Sequence, residues 1–418
     1  MLTAYMQSLR GSHRNVLLVF SVSALLGFSV NGGINEVIYN LYLLRLGYQP
    51  DTIGRISAVG LLCFSLGSLL AGWLGTAWSI RKTALVGLLL TLVGAVMLPL
   101  ASSVPEVQRV AWLSLCALIS YTGLALYYVN ALPYVLQVTT VQNRSNISAA
   151  LMAVGTAAMV GGGLTGGVLP GLFASALGLP VDSAEPYRWT LALVPLFLLV
   201  AVLVFMQARD SAGYAEQYET MPDAETGSAL YVTYGLIGLL GFVRFLQVAA
   251  LAGGLTFFNV YLDKDFAVPT YWVGTALAVA RLVGVPAALL GPEISRRLGL
   301  GKTVVVVSVF TAVSVLPLAL LRTPLGATAG VIGIVVTSNI RYQVFNIYTL
   351  EVVPVKLRPM MAGVNEMAAG LSFALVALVG GLVIVRYGYS ELFLACGAIT
   401  MLSAFAFAAF LRRQADAV

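Results

Sequence analysis

A chain of 418 residues that is 59% hydrophobic and only 10% charged lacks the polar surface of a soluble domain, in which about 25% of residues are charged. Its net charge of +6 does not form a nucleic-acid-binding face, because Lys and Arg sit singly or in pairs between apolar blocks. Cys63, Cys116 and Cys396 all fall inside apolar stretches, so they read as small buried hydrophobes rather than a disulfide framework.

Breaks at charges, Pro and Gly divide the chain into twelve apolar spans: 16–44, 52–76, 83–103, 109–137, 147–177, 188–207, 230–262, 270–294, 303–321, 326–352, 360–385 and 391–411. Each is long enough to supply the ~20 residues that cross a hydrocarbon layer as a helix. The first span is too long for a signal-peptide core and no small-residue cleavage site follows it, so it counts as a membrane helix. Connections are short, as expected where lipid cannot satisfy bare backbone. The one long polar stretch, Ala208 to Ser228, sets Arg209 against Asp210, Glu216, Glu219, Asp223 and Glu225. It separates two halves, 1–207 and 230–418, with 208–229 as a cytoplasmic linker. Arg10, Arg14, Arg81, Lys82, Arg144, Arg209, Arg296, Arg297, Lys302, Lys356, Arg358, Arg412 and Arg413 fall on one side of the membrane, against Arg45, Arg55, Arg109, Arg188, Lys264, Arg322 and Arg386 on the other. The excess of basic residues there puts both termini in the cytoplasm of a multi-pass protein of the cytoplasmic (inner or plasma) membrane.

The second half repeats the first in order. Asn40-Leu41-Tyr42-Leu43 recurs as Asn259-Val260-Tyr261-Leu262, and Lys82-Thr83 as Lys302-Thr303. Arg144 before the fifth span recurs as Arg358 before the eleventh, and Gly166-Gly167 as Gly380-Gly381. Six spans therefore map onto six at a nearly constant spacing, a parallel repeat. After the second span, Gly72-Trp73-Leu74-Gly75-Thr76-Ala77-Trp78-Ser79-Ile80-Arg81-Lys82 carries the leading Gly and closing basic pair of a Gly-x-x-x-Asp-x-x-Gly-Arg-Arg/Lys loop, with Thr76 at the Asp position. A second copy runs Gly291-Pro292-Glu293-Ile294-Ser295-Arg296-Arg297. On these motifs and the parallel repeat, the chain resembles the major facilitator superfamily. The resemblance implies an all-α polytopic membrane protein of twelve transmembrane helices in two pseudo-symmetric six-helix bundles, with helices 1, 4, 7 and 10 lining a central cavity.

Gly161-Gly162-Gly163-Leu164-Thr165-Gly166 matches G-x-G-x-x-G in form, but it lies inside an apolar span with no strand before it. Its spacing fits close helix packing instead. No Walker loop, metal constellation or hydrolytic constellation is present, and the lone His13 precedes the first span. The expectation is therefore a transporter without a cofactor or bound metal, not an enzyme, and any proton must be carried by a carboxylate.

Chemistry concentrates in the ionisable residues inside spans: Glu36, Arg244, Arg281, Arg341 and Glu366. A charge at the bilayer centre costs at least ~2.5 kcal/mol, so such groups face a bundle interior or a wet cavity. Three arginines against two acids leave a positive excess that a carboxylate or phosphate would neutralise. In the fourth span Ser120, Gly123, Tyr127, Asn130 and Tyr134 form one polar stripe at helical spacing. Under the repeat, Tyr127 corresponds to Arg341 and Tyr134 to Tyr348. In the first span Asn31 and Asn35 share a face, as do Gly32, Glu36 and Asn40. The expected substrate-binding set is Arg244, Arg281, Arg341, Tyr127, Asn130, Tyr134, Asn35 and Tyr348, with Glu36 and then Glu366 as proton-coupling acids. The bland alternatives are that the charges are structural pairs and that the tyrosines simply pack.

The expected function is secondary active transport of a small organic anion or zwitterion by alternating access, coupled to protons, by a monomer in the lipid bilayer with no nucleic-acid partner. Polyspecific drug/proton antiport and lipid or lysolipid translocation are the alternatives. A non-transporting receptor fits poorly with the short tails.

Overall fold

The computed structural model describes residues 14–137, 144–208, 227–288, 290–354 and 357–416, and it is helical throughout apart from short turns. The basic N-terminal stretch and most of the expected linker lie outside the described residues. The helices are α1 (Arg14–Ser29, resuming as Ile34–Arg45), α2 (Pro50–Ala77), α3 (Ile80–Met97), α4 (Glu106–Gln137), α5 (Arg144–Leu177) and α6 (Ala184–Ala192, resuming as Val194–Met206). They continue as α7 (Gly227–Phe266), α8 (Thr270–Ala288, followed by the short segment Leu290–Leu298), α9 (Leu300–Val313, resuming as Val315–Leu320), α10 (Pro324–Val352), α11 (Arg358–Tyr387) and α12 (Tyr389–Asp416). Among the described residues, 11 helices are long and apolar enough to cross a membrane. The remaining one, α10, spans 29 residues and carries Arg341. The twelve expected spans thus fall on these helices in order.

Helix is dictated here because only internal hydrogen bonds satisfy backbone in hydrocarbon. Large apolar side chains stay on the outside: Leu66, Leu69, Leu70, Leu196 and Leu203 are all exposed, as lipid-facing groups should be. Breaks have local causes. Asn31-Gly32-Gly33 interrupts α1, where Gly32 takes φ 81°, a conformation that costs a Cβ-bearing residue strain. Pro195 and Pro317, each lacking a backbone donor, sit just past the breaks in α6 and α9. The side chain of Thr323 caps α10 by accepting from the Gly326 N–H at 3.1 Å.

The helices cluster into two compact units. The first takes α1 up to Ile38, α2 from Leu66, and α3 to α6. Within it, α3 and α4 pack backbone to backbone through Gly87 and Gly123, and the Thr91 hydroxyl donates to the Gly87 carbonyl at 2.9 Å. A methyl group at Gly162 of α5 would overlap the Phe28 carbonyl of α1, and one at Gly166 would meet the Ile34 Cα at 2.9 Å. The glycine-rich run is therefore a surface for close helix approach.

The second unit holds α7 to α12 together with residues 39–65. Its apolar core includes Leu240, Val243, Val304, Val344, Phe345 and Phe407. Residues 39–65 are fastened to α7 and α11 by polar bonds. Arg45 at the end of α1 grips both carboxylate oxygens of Asp263, and the Asn40 amide donates to the Thr256 carbonyl at 2.6 Å. Lys264 donates to Gln49 at 3.1 Å, and the Ser65 hydroxyl to the Met367 carbonyl at 3.0 Å. Arg45 and Asp263 are mostly buried, at 14% and 12% side-chain exposure. Such a pair is far more costly to break than a surface one.

Candidate functional site

In the second unit, α7, α10 and α11 bring three of the expected residues together. Arg244 of α7, 7% exposed, lies with its guanidinium carbon 5.0 Å from the ring centre of Tyr342. The hydroxyl of Tyr342 donates to Glu366 Oε1 of α11 at 2.9 Å. Tyr342 thus links a cation and an acid, its ring face attracting one while its hydroxyl binds the other. Arg341, next in sequence to Tyr342 but on a different face of α10, is 1% exposed. Its Nη2 donates to the Ser338 hydroxyl at 3.4 Å, whereas its Nε and Nη1 are buried without a hydrogen-bond partner among the described residues. The charge of Arg244 stands close enough to repel it. A buried donor left unmet costs about 1–3 kcal/mol, more when charged.

One turn beyond Arg244, Gln247 is fully buried, and neither its Oε1 nor its Nε2 has a partner among the described residues. Arg281 of α8 is half-buried. One turn further along α8, a methyl group at Gly284 would come within 3.0 Å of Val335 and closer still to the Asn339 amide of α10. Tyr348 belongs to the apolar core instead, edge-on to Phe407 at 5.1 Å between ring centres and 8% exposed.

In the first unit, α4 turns a different face to α1 from the expected stripe. Tyr127 and Tyr134, each 1% exposed, pack edge-on against Phe205 of α6 at 6.0 and 5.7 Å between ring centres. The Asn130 amide donates to the Ala71 carbonyl of α2 at 3.1 Å and to the Leu126 carbonyl at 2.9 Å. That stripe holds α4 to α2 and α6. The neighbouring face instead meets the α1 break. Tyr128 is hydrogen-bonded to the side chain of Asn31, and Tyr121 lies within electrostatic reach of Glu36. Glu36 and Asn35, both half-buried, sit in the first turn of the resumed helix, just past Gly32.

Sequence reasoning missed Tyr342, Gln247, Tyr121 and Tyr128. Gln247 follows Arg244 at i+3, a signal that was present. Tyr121 and Tyr128 are seven residues apart, the same spacing as Tyr127 and Tyr134, so spacing alone does not separate the two faces.

Among the described residues no cluster of His, Cys, Asp and Glu could hold a metal ion. The second unit holds the buried guanidinium groups of Arg244 and Arg341, and the first holds Glu36 near Tyr121.

The chain is similar in fold to solved transporters along nearly its whole length. The nucleoside transporter NupG aligns with a TM-score of 0.69 at 16% identity, over 95% of this chain and 98% of that one. A D-xylose-proton symporter aligns at 0.72 and 13% identity, over 96% and 97%. A POT family transporter in complex with 5-aminolevulinic acid aligns at 0.70 and 14%, over 96% of each chain. At these identities the likeness is one of fold. No curated protein matches the sequence. A family model described as Major Facilitator Superfamily matches residues 16–348, most of the chain. With its membrane-spanning helices and transporter fold, this chain belongs to the Major Facilitator Superfamily and is an integral, multi-pass membrane transporter rather than an enzyme.

Proposed function

We propose that this transporter moves a small organic anion or zwitterion by alternating access, as a proton-coupled secondary carrier in the cytoplasmic membrane. Its halves are 1–207 and 230–418, joined by 208–229, with both termini inside and the monomer as the working form. The observation that carries the reading is Arg341. It is a guanidinium at 1% exposure with two unmet donor atoms, a like-charged neighbour and no ion pair among the described residues. A carboxylate or phosphate on the cargo is the simplest partner for such a group. A zwitterion is admissible on the same chemistry, since the POT family transporter of like fold is in complex with 5-aminolevulinic acid, which bears both an amine and a carboxylate. Glu36 is the preferred coupling acid, half-buried beside the α1 break, with Glu366 as the second. Binding cargo near the arginines and protonating the acid are then linked, and the linkage is reciprocal.

The test is a thermal-shift screen of the purified protein against organic anions, organic cations and lysolipids. Stabilisation by anions or zwitterions supports the proposal. A cation-selective profile would sink it in favour of drug/proton antiport, and a lysolipid-selective one in favour of lipid translocation.

A further inference from the structure

Resting on the reading that the cargo is anionic, we propose that Gln247, Ser338 and Arg341 form a seat for one carboxylate on the seam between α7 and α10. The cargo it fits carries an N–H or O–H donor close to that carboxylate.

The register of the seam places these residues together. At one end Arg244 of α7 lies over Tyr342 of α10. At the other, a methyl group at Gly254 would stand 3.5 Å from the Ile334 side chain and 4.0 Å from that of Val331. Rising along α7 therefore means descending in number along α10, so the two helices run antiparallel here. Gln247 is seven residues before Gly254, two turns along the same face. It falls level with Ser338, whose hydroxyl already accepts from Arg341 at 3.4 Å.

Charge sets the class of cargo. Glu366, reached through Tyr342, offsets Arg244. Arg341 has no acid partner among the described residues, so the seat is short of a single negative charge. Donor chemistry narrows it further. Arg341 supplies the Nε and Nη1 hydrogens and Gln247 an amide N–H, all toward a carboxylate. Gln247 also brings Oε1, an acceptor that a carboxylate cannot satisfy and that a neighbouring hydroxyl or amine of the cargo can. These atoms have no water-sized access in this conformation. The seat therefore fills only as α7 and α10 part, and the unmet polar atoms make that parting less costly than separating a satisfied seam.

The experiment uses the full chain in detergent with three matched probes: 3-phenyllactate, its amide, and phenyl phosphate. Calorimetric titration gives affinity, and thermal unfolding gives the stability of the probe-free protein. Gln247→Met, near in volume and without polar hydrogen bonds, should weaken 3-phenyllactate binding about ten- to a hundredfold. It should also raise the Tm of the probe-free protein, because an unmet amide is gone; a merely structural glutamine would lower it. Gln247→Asn, which keeps the amide but shortens its reach, should weaken binding with less change in Tm. Unchanged 3-phenyllactate affinity in both variants, or wild-type protein binding phenyl phosphate more tightly than 3-phenyllactate, would overturn the seat. Wild-type protein that binds no anion in the broader screen would instead overturn the anion-carrier reading beneath it.

Discussion

Replacing Gly87 by Ala tests whether close backbone packing builds the first unit. A methyl group there would stand 2.6 Å from the Gly123 carbonyl oxygen, 2.7 Å from the Tyr127 nitrogen and 2.9 Å from the Leu126 Cβ. Side-chain Cβ atoms essentially never come within 3.0 Å of such neighbours, and two of the three are backbone that cannot swing aside. The α3 and α4 backbones must move apart around Gly87 until these contacts exceed 3.0 Å. Overpacking of this kind falls at the upper end of its usual range, about 3 kcal/mol. Ala gains roughly 1 kcal/mol over Gly in a helix, so the net loss should be about 2 kcal/mol. Gly171→Ala in α5 is the control, since a methyl group there meets nothing within 4 Å. It should be neutral or stabilising by up to ~1 kcal/mol. Denaturant titration of the purified protein in detergent, followed by circular dichroism, reads both. If Gly87→Ala proves as stable as Gly171→Ala, the close-packing reasoning fails.

Three further outcomes are expected. Arg341→Gln should weaken anion binding by about 1.5–3 kcal/mol, the worth of a charge-assisted hydrogen bond, in a calorimetric titration; unchanged affinity would remove Arg341 from the site. Arg45→Ala should lower the thermal stability markedly, because a mostly buried carboxylate at Asp263 loses its partner, at ~3–5 kcal/mol; the exchanged pair Arg45→Asp with Asp263→Arg should recover part of the loss, and no recovery would count against the pairing. Glu36→Gln should keep binding and counterflow exchange in proteoliposomes but lose accumulation driven by a proton gradient, and normal accumulation would shift the coupling role to Glu366.

The fold was legible because its signal is redundant. Every span repeats the demand that backbone be satisfied within hydrocarbon, and matches such as Asn40 with Asn259 align one half on the other. The deep charges were legible for a related reason. A residue as costly in lipid as Arg341 is retained only with a purpose, and its place in an apolar span shows without any structure. What could not be read was direction around each helix. Tyr127 and Tyr128 are neighbours in sequence, yet one packs on Phe205 and the other meets Asn31, a difference fixed by how α2 and α6 approach α4. The pairing of Arg244 with Glu366 was likewise hidden, since it passes through Tyr342 on a third helix. The break in α1 was written in Asn31-Gly32-Gly33 but lay inside what reads as one continuous span.

The most direct test of anion transport at Arg341 is counterflow exchange in proteoliposomes, using a stabilising anion from the screen and its uncharged amide. The wild-type protein should exchange the anion and not the amide, and Arg341→Gln, correctly inserted and folded, should lose that exchange. Equal exchange of anion and amide by the wild-type protein, or full anion exchange by Arg341→Gln, would contradict it.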